Sequence, residues 1–443
     1  MAAVLPLSPT NPLPPFPNPP KVNQLRDRHI TGDDDAFLLS HLTITQHSFP
    51  GKAAYVSAMK AASLLSSDSH GRAVHARILK AGLVADRFIA SSVIRFYSSV
   101  SDLDSARKVF DGVPLKDAAL HTALLTGYAQ NGEIEKARGL FDVMFDRDVV
   151  AWNAMLSGYA KSRLPEAALE LFVEMQQSNC SPNEVTLILA LSSCSQLGSL
   201  DLGEWIHGYI NRHNVEIRRS ITLNNSLVHM YAKCGRLDAA LVLFLEQNPK
   251  NLESWNTMLC GLAVNGCGMA ALSLFAQMIK FRLRPDRITF VGILMACSHV
   301  GMIDTAIIGI NCMKTVYGVE PKAEHVGCLV DALSRGGYLD EARSVLESML
   351  FETNASAWRA LLGGCFTHGD YELGVVAARH LIELEPLEES GYVALQKLYA
   401  MAGRTEDALK VRKLMCDLDI QQSSGASMIE VEGAAYEFLA GTL

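Results

Sequence analysis

A chain of 443 residues that is 49% hydrophobic and 19% charged is too apolar for a disordered polymer and too long for one small core. No uncharged apolar run reaches the roughly 18 residues a membrane span needs, so no membrane partner is expected. Ten cysteines without a CxxC pair describe reduced thiols and not a disulfide framework, with Cys194, Cys234, Cys297 and Cys328 expected to pack as small apolar residues. The net charge of −8 is unevenly placed: residues 355–443 hold 13 acidic and seven basic side chains, whereas residues 52–354 hold 30 and 29. A near-neutral middle has little general field, so any nucleic acid there must be held by base contacts and a few placed cations.

The first segment, residues 1–51, differs in kind. From Met1 to Arg26 there is no acidic residue, and eight of the 16 prolines fall there. Proline blocks helix interiors and central strands, so this stretch is expected to be an extended, disordered leader. An acid-free leader of this composition reads as an organelle transit peptide, the alternative being a tail without an address. Its low arginine content favours a chloroplast, with the mitochondrion as alternative.

From about Lys52 the chain repeats. Phe110, Phe141 and Phe172 are spaced by 31, as are Tyr97, Tyr128 and Tyr159, and a longer beat of 103 maps Trp152 onto Trp255 and Cys194 onto Cys297. Repetition on this scale signals a stacked array. In Val149 to Asn183, the residues Trp152, Leu156 and Tyr159 mark one helical face, and Ala168, Leu171, Phe172 and Met175 mark another. Pro165 suits the first turn of the second helix, and Pro182 cannot continue it. A lone hairpin this small cannot bury both faces, so the units must stack. The expectation is an all-α, right-handed superhelical solenoid of helix-turn-helix repeats. Gly127, Gly158 and Gly261 share one position and would let successive first helices approach closely.

The units run Lys52 to Asp86, Arg87 to Asp117, Ala118 to Asp148, Val149 to Asn183, Glu184 to Ser220, Ile221 to Asn251, Leu252 to Asp286, Arg287 to Lys322 and Ala323 to Asn354. This alternation of lengths, with Asp148 to Ala160 (DVVAWNAMLSGYA) and Met230 to Gly235 (MYAKCG), resembles the plant pentatricopeptide repeat family, in its class built from P, L and S units. The resemblance implies nine repeats over 52–354 in the order L, S, S, P, L, S, P, L, S. Residues 355–443 look like the E1 and E2 extension, through Trp358 to Gly363 (WRALLG), Leu381 to Pro386 (LIELEP), Gly391 to Leu395 and onward to Glu430 and Val431. Ala426 and Met428 stand where the family has Cys and Trp.

The family binds single-stranded RNA at about one base per repeat. The resemblance implies that the fifth and last residues of a unit face the base edge and that second residues sandwich the base. Amide, hydroxyl and carboxylate groups can serve a Watson–Crick edge, whereas aliphatic groups cannot. Ser91 with Asp117 and Thr122 with Asp148 then resemble guanine readers. Asn153 with Asn183 and Asn225 with Asn251 resemble pyrimidine readers, and Asn256 with Asp286 a uracil reader. The units with Val56, Ile188, Val291 and Gly327 at the fifth position should discriminate little. Running 5′ to 3′, the expected sequence is N-G-G-Y-N-Y-U-N-N. Phe88, Val150, Val185 and Ile288 suit stacking, while Thr222 and Glu253 depart from that pattern. The competing reading is structural, because Ser, Thr, Asn and Asp beside a helix start also serve as caps.

No glycine loop for phosphate, GxSxG elbow or HExxH helix occurs, and the HxE and PCxxC halves of a zinc deaminase are absent. His75 and His207 occupy equivalent repeat positions, which marks them as solenoid residues. Neither a catalytic residue, a metal site nor a cofactor is expected, and the sequence offers no segment for the DYW deaminase domain of longer family members. By resemblance, the E-type extension implies a site-recognition factor for C-to-U editing of organelle RNA, acting on a cytidine a few nucleotides 3′ of the bound site. A DYW-type deaminase would be supplied in trans, and multiple organellar RNA editing factor proteins are further implied partners. The alternative is an organelle factor for RNA stabilisation, splicing or translation without editing. The cluster Glu383, Glu385, Glu388 and Glu389 would repel phosphates and suit a protein partner, or simply be a solvated helix end.

Overall fold

The computed structural model describes residues 51–178, 180–213, 219–348, 355–418 and 420 and the strands 426–431 and 434–439. The expected leader, up to residue 50, and Asn354 lie outside the described residues. The chain divides into two compact units, Asp27–Gly261 and a second that includes Leu262–Leu443. In a repeat array each element touches only its neighbours, so a division by compactness can fall inside a repeat, as it does here.

The first unit runs through α1 (Lys52–Leu64), α2 (Asp68–Lys80), α3 (Arg87–Ser99), α4 (Leu103–Gly112), α5 (Ala118–Gln130) and α6 (Ile134–Asp142). It continues with α7 (Val149–Lys161), α8 (Pro165–Gln177), α9 (Glu184–Leu197), α10 (Leu200–His213), α11 (Ile221–Lys233) and α12 (Leu237–Glu246). The division falls within α13 (Leu252–Val264). The second unit holds α14 (Gly268–Lys280), α15 (Arg287–Val300), α16 (Ile303–Thr315), α17 (Ala323–Arg335) and α18 (Leu339–Ser348). It ends with α19 (Ala355–His368), α20 (Tyr371–Leu384), α21 (Glu389–Met401), α22 (Thr405–Asp417) and an antiparallel hairpin of β1 (Ala426–Val431) and β2 (Ala434–Leu439). Each unit is therefore a helical-hairpin solenoid, and the second adds this hairpin, in which Ala426 faces Leu439. The side chains of Ala426 and Met428 lie outside the description.

The first helix of each hairpin packs on the next first helix: α3 on α5, α5 on α7, α7 on α9 and α9 on α11, and in the second unit α15 on α17 and α17 on α19. Small residues set that distance. A Cβ added to Gly158 would lie 2.8 Å from the Cβ of Ala129, one at Gly261 would lie 2.8 Å from that of Ala232, and one at Gly127 would lie 2.1 Å from the Ser98 hydroxyl. The three shared-position glycines thus mark the seam itself.

A second contact fixes rotation. Phe110, Phe141 and Phe244 of the second helices point edge-on at His121, Trp152 and Trp255 of the following first helices, at 5.0, 4.8 and 5.3 Å. Each such pair adds about 0.5–1.5 kcal/mol beyond the area it buries. His75 meets the Tyr97 hydroxyl at 2.8 Å and His207 that of Tyr231 at 2.9 Å, one contact repeated four hairpins apart. Turns inside the hairpins need a left-handed residue, supplied by Gly132 and Gly235 at φ 81 and 78° but by Ser101 and Arg163 at φ 60 and 55°.

All ten cysteines are free. Cys194 and Cys297 are buried and Cys234 and Cys328 half-buried. Burial pushes the Cys194 thiol up to about 12 and that of Cys297 to about 11, so neither is a nucleophile.

Two measurements test this packing. Gly158→Val should lower the thermal midpoint, the overpacked seam costing about 1–3 kcal/mol. Gly139→Ala, at a helical site with open space around it, should raise stability by about 0.5–1 kcal/mol; equal effects of the two changes would contradict a glycine seam. Burial also holds the imidazoles of His75 and His207 below their ordinary value of 6.5. Folded protein then resists protons that the unfolded chain accepts, so this contribution is full above pH 6.5 and declines as pH falls below it. Circular-dichroism melts between pH 7.5 and pH 5.5 should show a smaller loss for a double variant His75→Gln, His207→Gln than for the native chain.

Candidate nucleic-acid interface

The second residue of a first helix points outward. Phe88 is 79% exposed, Val150 60%, Val185 51% and Ile288 53%. Large apolar side chains held in water at one repeated position need an occupant more than isolated surface hydrophobics do. Thr222 and Glu253, at the same position of α11 and α13, are exposed too.

The fifth residues sit deeper than an open groove would place them. Ser91 and Asn153 are half-buried, but Thr122, Asn225 and Asn256 are only 5, 4 and 3% exposed. Short side chains on first helices packed side by side end between the helices. Two of these buried groups lack a hydrogen-bond partner, the Thr122 hydroxyl and the Asn225 amide nitrogen. Buried polar atoms are normally satisfied, so these two are exceptions. Ser91 instead donates back to the Arg87 carbonyl at 2.8 Å.

Last residues cap the next helix. The Asp117 carboxylate accepts from the Leu120 N–H at 2.9 Å, Asp148 from that of Ala151 at 2.8 Å and Asn183 from that of Thr186 at 3.0 Å. Asn251 accepts from Ser254 N–H and Asp286 from Thr289 N–H, each at 2.9 Å. Capping uses one oxygen. Asp117 commits its other to Arg87 at 3.1 Å; the Lys52 ammonium likewise meets Asp86 at 2.5 Å and holds its carboxyl below the usual range. Asp148 is exposed and keeps an oxygen in water.

Fifth and last residues are also joined to each other. Asn153 donates to the Asn183 side-chain oxygen at 3.1 Å, and the Thr186 hydroxyl donates to Asn153 at 2.7 Å. In the sixth repeat the link is longer: Gln247 donates to the Asn225 oxygen at 3.3 Å and to the Ser254 hydroxyl at 3.0 Å, which donates to Asn251 at 2.8 Å. Thr186, Ser254 and Gln247 were not singled out from sequence, although N-x-x-T and N-x-x-S capping spacing was there to flag the first two. A cleft of about 270 Å³ opens here, with Ile188 and Ser192 of α9, Asn225 and His229 of α11, and Glu253 and Thr257 of α13 on its walls. Ser192 and His229 lie one helical turn beyond the fifth residues, which is the signal that would have found them. A larger cleft of about 1020 Å³ between α10, α11 and α12 contains none of the expected readers and adjoins residues outside the description.

Among the described residues no three His, Cys, Asp or Glu side chains gather as metal ligands, and no helix is long and apolar enough to cross a membrane. In the acidic cluster Glu385 pairs with Arg359, and Glu383 lies 3.3 Å from His380.

Capping and base contact separate experimentally at Asp148. Asp148→Asn keeps a good cap and should leave the melting midpoint nearly unchanged, whereas Asp148→Ala should cost about 1 kcal/mol. If Asp148 also meets a base, the Asn variant changes which base is preferred at that repeat; unchanged preference would leave a cap alone.

The PPR repeat pattern matches residues 120–149, 225–246, 253–283 and 325–352, that of the PPR repeat family residues 147–196, and the E motif residues 368–430. Pentatricopeptide repeat-containing protein At5g56310 of Arabidopsis thaliana is 39% identical over 387 residues, covering 87% of this chain and 73% of the relative. From the same plant, pentatricopeptide repeat-containing protein ELI1, chloroplastic, is 42% identical over 410 residues, covering 92% of this chain and 64% of the relative. A third relative, At2g22410, mitochondrial, is 42% identical over 390 residues, 88% of this chain and 57% of its own length. The chain thus spans between about half and three quarters of such relatives. Among solved structures, the pentatricopeptide repeat protein PPR10 in complex with an 18-nt psaJ RNA element aligns at a TM-score of 0.64 and 20% identity, over 88% of this chain and 60% of that chain, a likeness of fold. Repeat spacing, helical-hairpin packing and these matches together place the chain in the pentatricopeptide repeat family.

Proposed function

We propose that this chain is a sequence-specific single-stranded RNA-binding protein of an organelle that acts as the site-recognition factor for C-to-U editing, the deaminase being supplied in trans. The observation that carries RNA binding is the pairing, at fixed positions of two first helices, of exposed apolar Phe88 and Val150 with half-buried polar Ser91 and Asn153 one turn on. Stacking on apolar side chains and hydrogen bonds to base edges are the two contacts that unstacked bases need. The near-neutral repeat region adds little unspecific attraction, so affinity has to come from the bases. RNA bound by PPR10 in its solved complex supports the same reading.

Ser91 with Asp117, Thr122 with Asp148, Asn153 with Asn183, Asn225 with Asn251 and Asn256 with Asp286 would read N-G-G-Y-N-Y-U-N-N. The E motif supports the editing role. An organelle address agrees with relatives described as chloroplastic and mitochondrial, and the low arginine content of the leader favours the chloroplast. A DYW-type deaminase and multiple organellar RNA editing factor proteins are the partners this role requires.

Fluorescence anisotropy should show the matched oligonucleotide binding about tenfold or more tighter than a scrambled one, each read base contributing about 0.5–1.5 kcal/mol. Equal affinity contradicts sequence-specific binding. In a loss-of-function line, loss of one C-to-U site is the expected result, whereas intact editing with an altered transcript level would replace editing by transcript stabilisation.

A further inference from the structure

In several repeats the first residue meets the last residue of the same repeat. Lys52 lies 2.5 Å from Asp86, Arg87 lies 3.1 Å from Asp117, and the Ser220 hydroxyl donates to Glu184 at 2.5 Å. In the eighth repeat these two positions hold Arg287 and Lys322, a cation at each. One imidazole ties their backbones together: His325 Nδ1 accepts from the Lys322 N–H at 3.0 Å, and its Nε2–H donates to the Arg287 carbonyl at 3.0 Å. Both side chains are exposed, and among the described residues neither has a salt-bridge partner. Of the acidic groups nearby in the chain, Asp286 caps α15, Glu320 pairs with Lys314 at 3.3 Å, and Glu324 is exposed on α17. Arg284 adds a further exposed guanidinium, which donates to the Tyr317 carbonyl at 2.5 Å.

Two like charges at positions that elsewhere attract each other repel, and an anion between them turns that repulsion into two attractions. The neighbours say which anion fits. Ile288, the second residue of the eighth repeat, is 53% exposed and suits the face of a base. The fifth residues Val291 and Gly327 carry no group for a base edge. A nucleotide lying here offers the protein its phosphate as the group for polar contact, and a guanidinium beside an ammonium suits phosphate oxygens. We propose that Arg287 and Lys322 form a phosphate clamp that holds the RNA backbone at the eighth repeat, whichever base stands there. The inference rests on the proposed RNA reading. It gives a nearly neutral array one of the placed cation sites that backbone attraction needs.

The test uses the full chain and the matched oligonucleotide with neutral methylphosphonate linkages on both sides of either the eighth or the third nucleotide. Neutral linkages at the eighth should weaken binding by native protein about fivefold or more, the range of one hydrogen bond between charged groups. Neutral linkages at the third, or a changed base at the eighth, should stay within about twofold. The double variant Arg287→Gln, Lys322→Gln should lose the same factor on unmodified RNA and nothing further on RNA neutral at the eighth nucleotide. Its slope of log affinity against log salt should flatten by about 0.7, one phosphate contact on a single strand. An equal loss of charge elsewhere, Lys314→Gln with Arg343→Gln, should leave binding as it is. Lys322→Gln alone relieves a repulsion, so the RNA-free variant should melt at or above the native midpoint. A lower midpoint, or an equal loss of affinity in the Lys314, Arg343 control, overturns the inference. Unchanged RNA affinity in the Arg287, Lys322 variant also overturns it, and would leave the pair to an acidic protein partner. Failure of native protein to bind the matched RNA at all removes the RNA reading itself and, with it, this assignment.

Discussion

The distance between one first helix and the next governs what this array can present. Gly158 against Ala129 and Gly261 against Ala232 leave no room for a side chain in the seam, so the helices come together at the same height in successive repeats. Edge-on rings, such as Phe141 against Trp152 at 4.8 Å, then fix the rotation about each axis. Distance and rotation together determine where every other side chain of a first helix points. Second residues emerge into solvent, whereas the fifth residues Thr122, Asn225 and Asn256 end in the seam. A repeat gains stability only from its neighbours, so the interface that holds the array together is the one that sets the register of its second and fifth residues.

The residues proposed to read bases also have structural duties. Asp117, Asp148, Asn183, Asn251 and Asp286 all cap a following helix, which spares a helix terminus about 1 kcal/mol each. Asn183 and Asn251 are also tied to Asn153 and Asn225, directly in one repeat and through Ser254 and Gln247 in the other. Capping positions the last residue without consuming all of its hydrogen-bonding capacity, and the tie orients the fifth. Under the proposed reading a base would meet groups already oriented, with less side-chain entropy left to lose on binding. The Thr122 hydroxyl and Asn225 amide nitrogen are buried without a hydrogen-bond partner, and under the proposed reading these are the positions where a matched base edge would gain most.

How much of this was legible in the sequence follows from what periodicity encodes. Apolar spacing reports helix faces, so the hairpin of Val149 to Asn183, the N-terminal Pro165 and the seam glycines could be read directly and agree with α7, α8 and the Gly158 contact. The kinship of His75 and His207 was visible too, because equal positions meet equal neighbours, here Tyr97 and Tyr231. Depth was not legible. The resemblance implied that Thr122, Asn225 and Asn256 face a base, but spacing could not say that neighbouring helices would close around them. Contacts between repeats, such as that of Gln247 with Asn225, depend on loop geometry that no period records. The strand pair β1 and β2 was likewise unexpected, since it follows a long helical stretch and is only two strands wide.

The central claim is that register, more than charge, selects the ligand. The most direct measurement is selection of bound sequences from a pool of RNAs randomised over nine consecutive positions, read out as information content per position. The account predicts preferences at the second, third, fourth, sixth and seventh positions, with the fifth silent opposite Ile188. Preferences spread evenly along the RNA, or none at all, would contradict it.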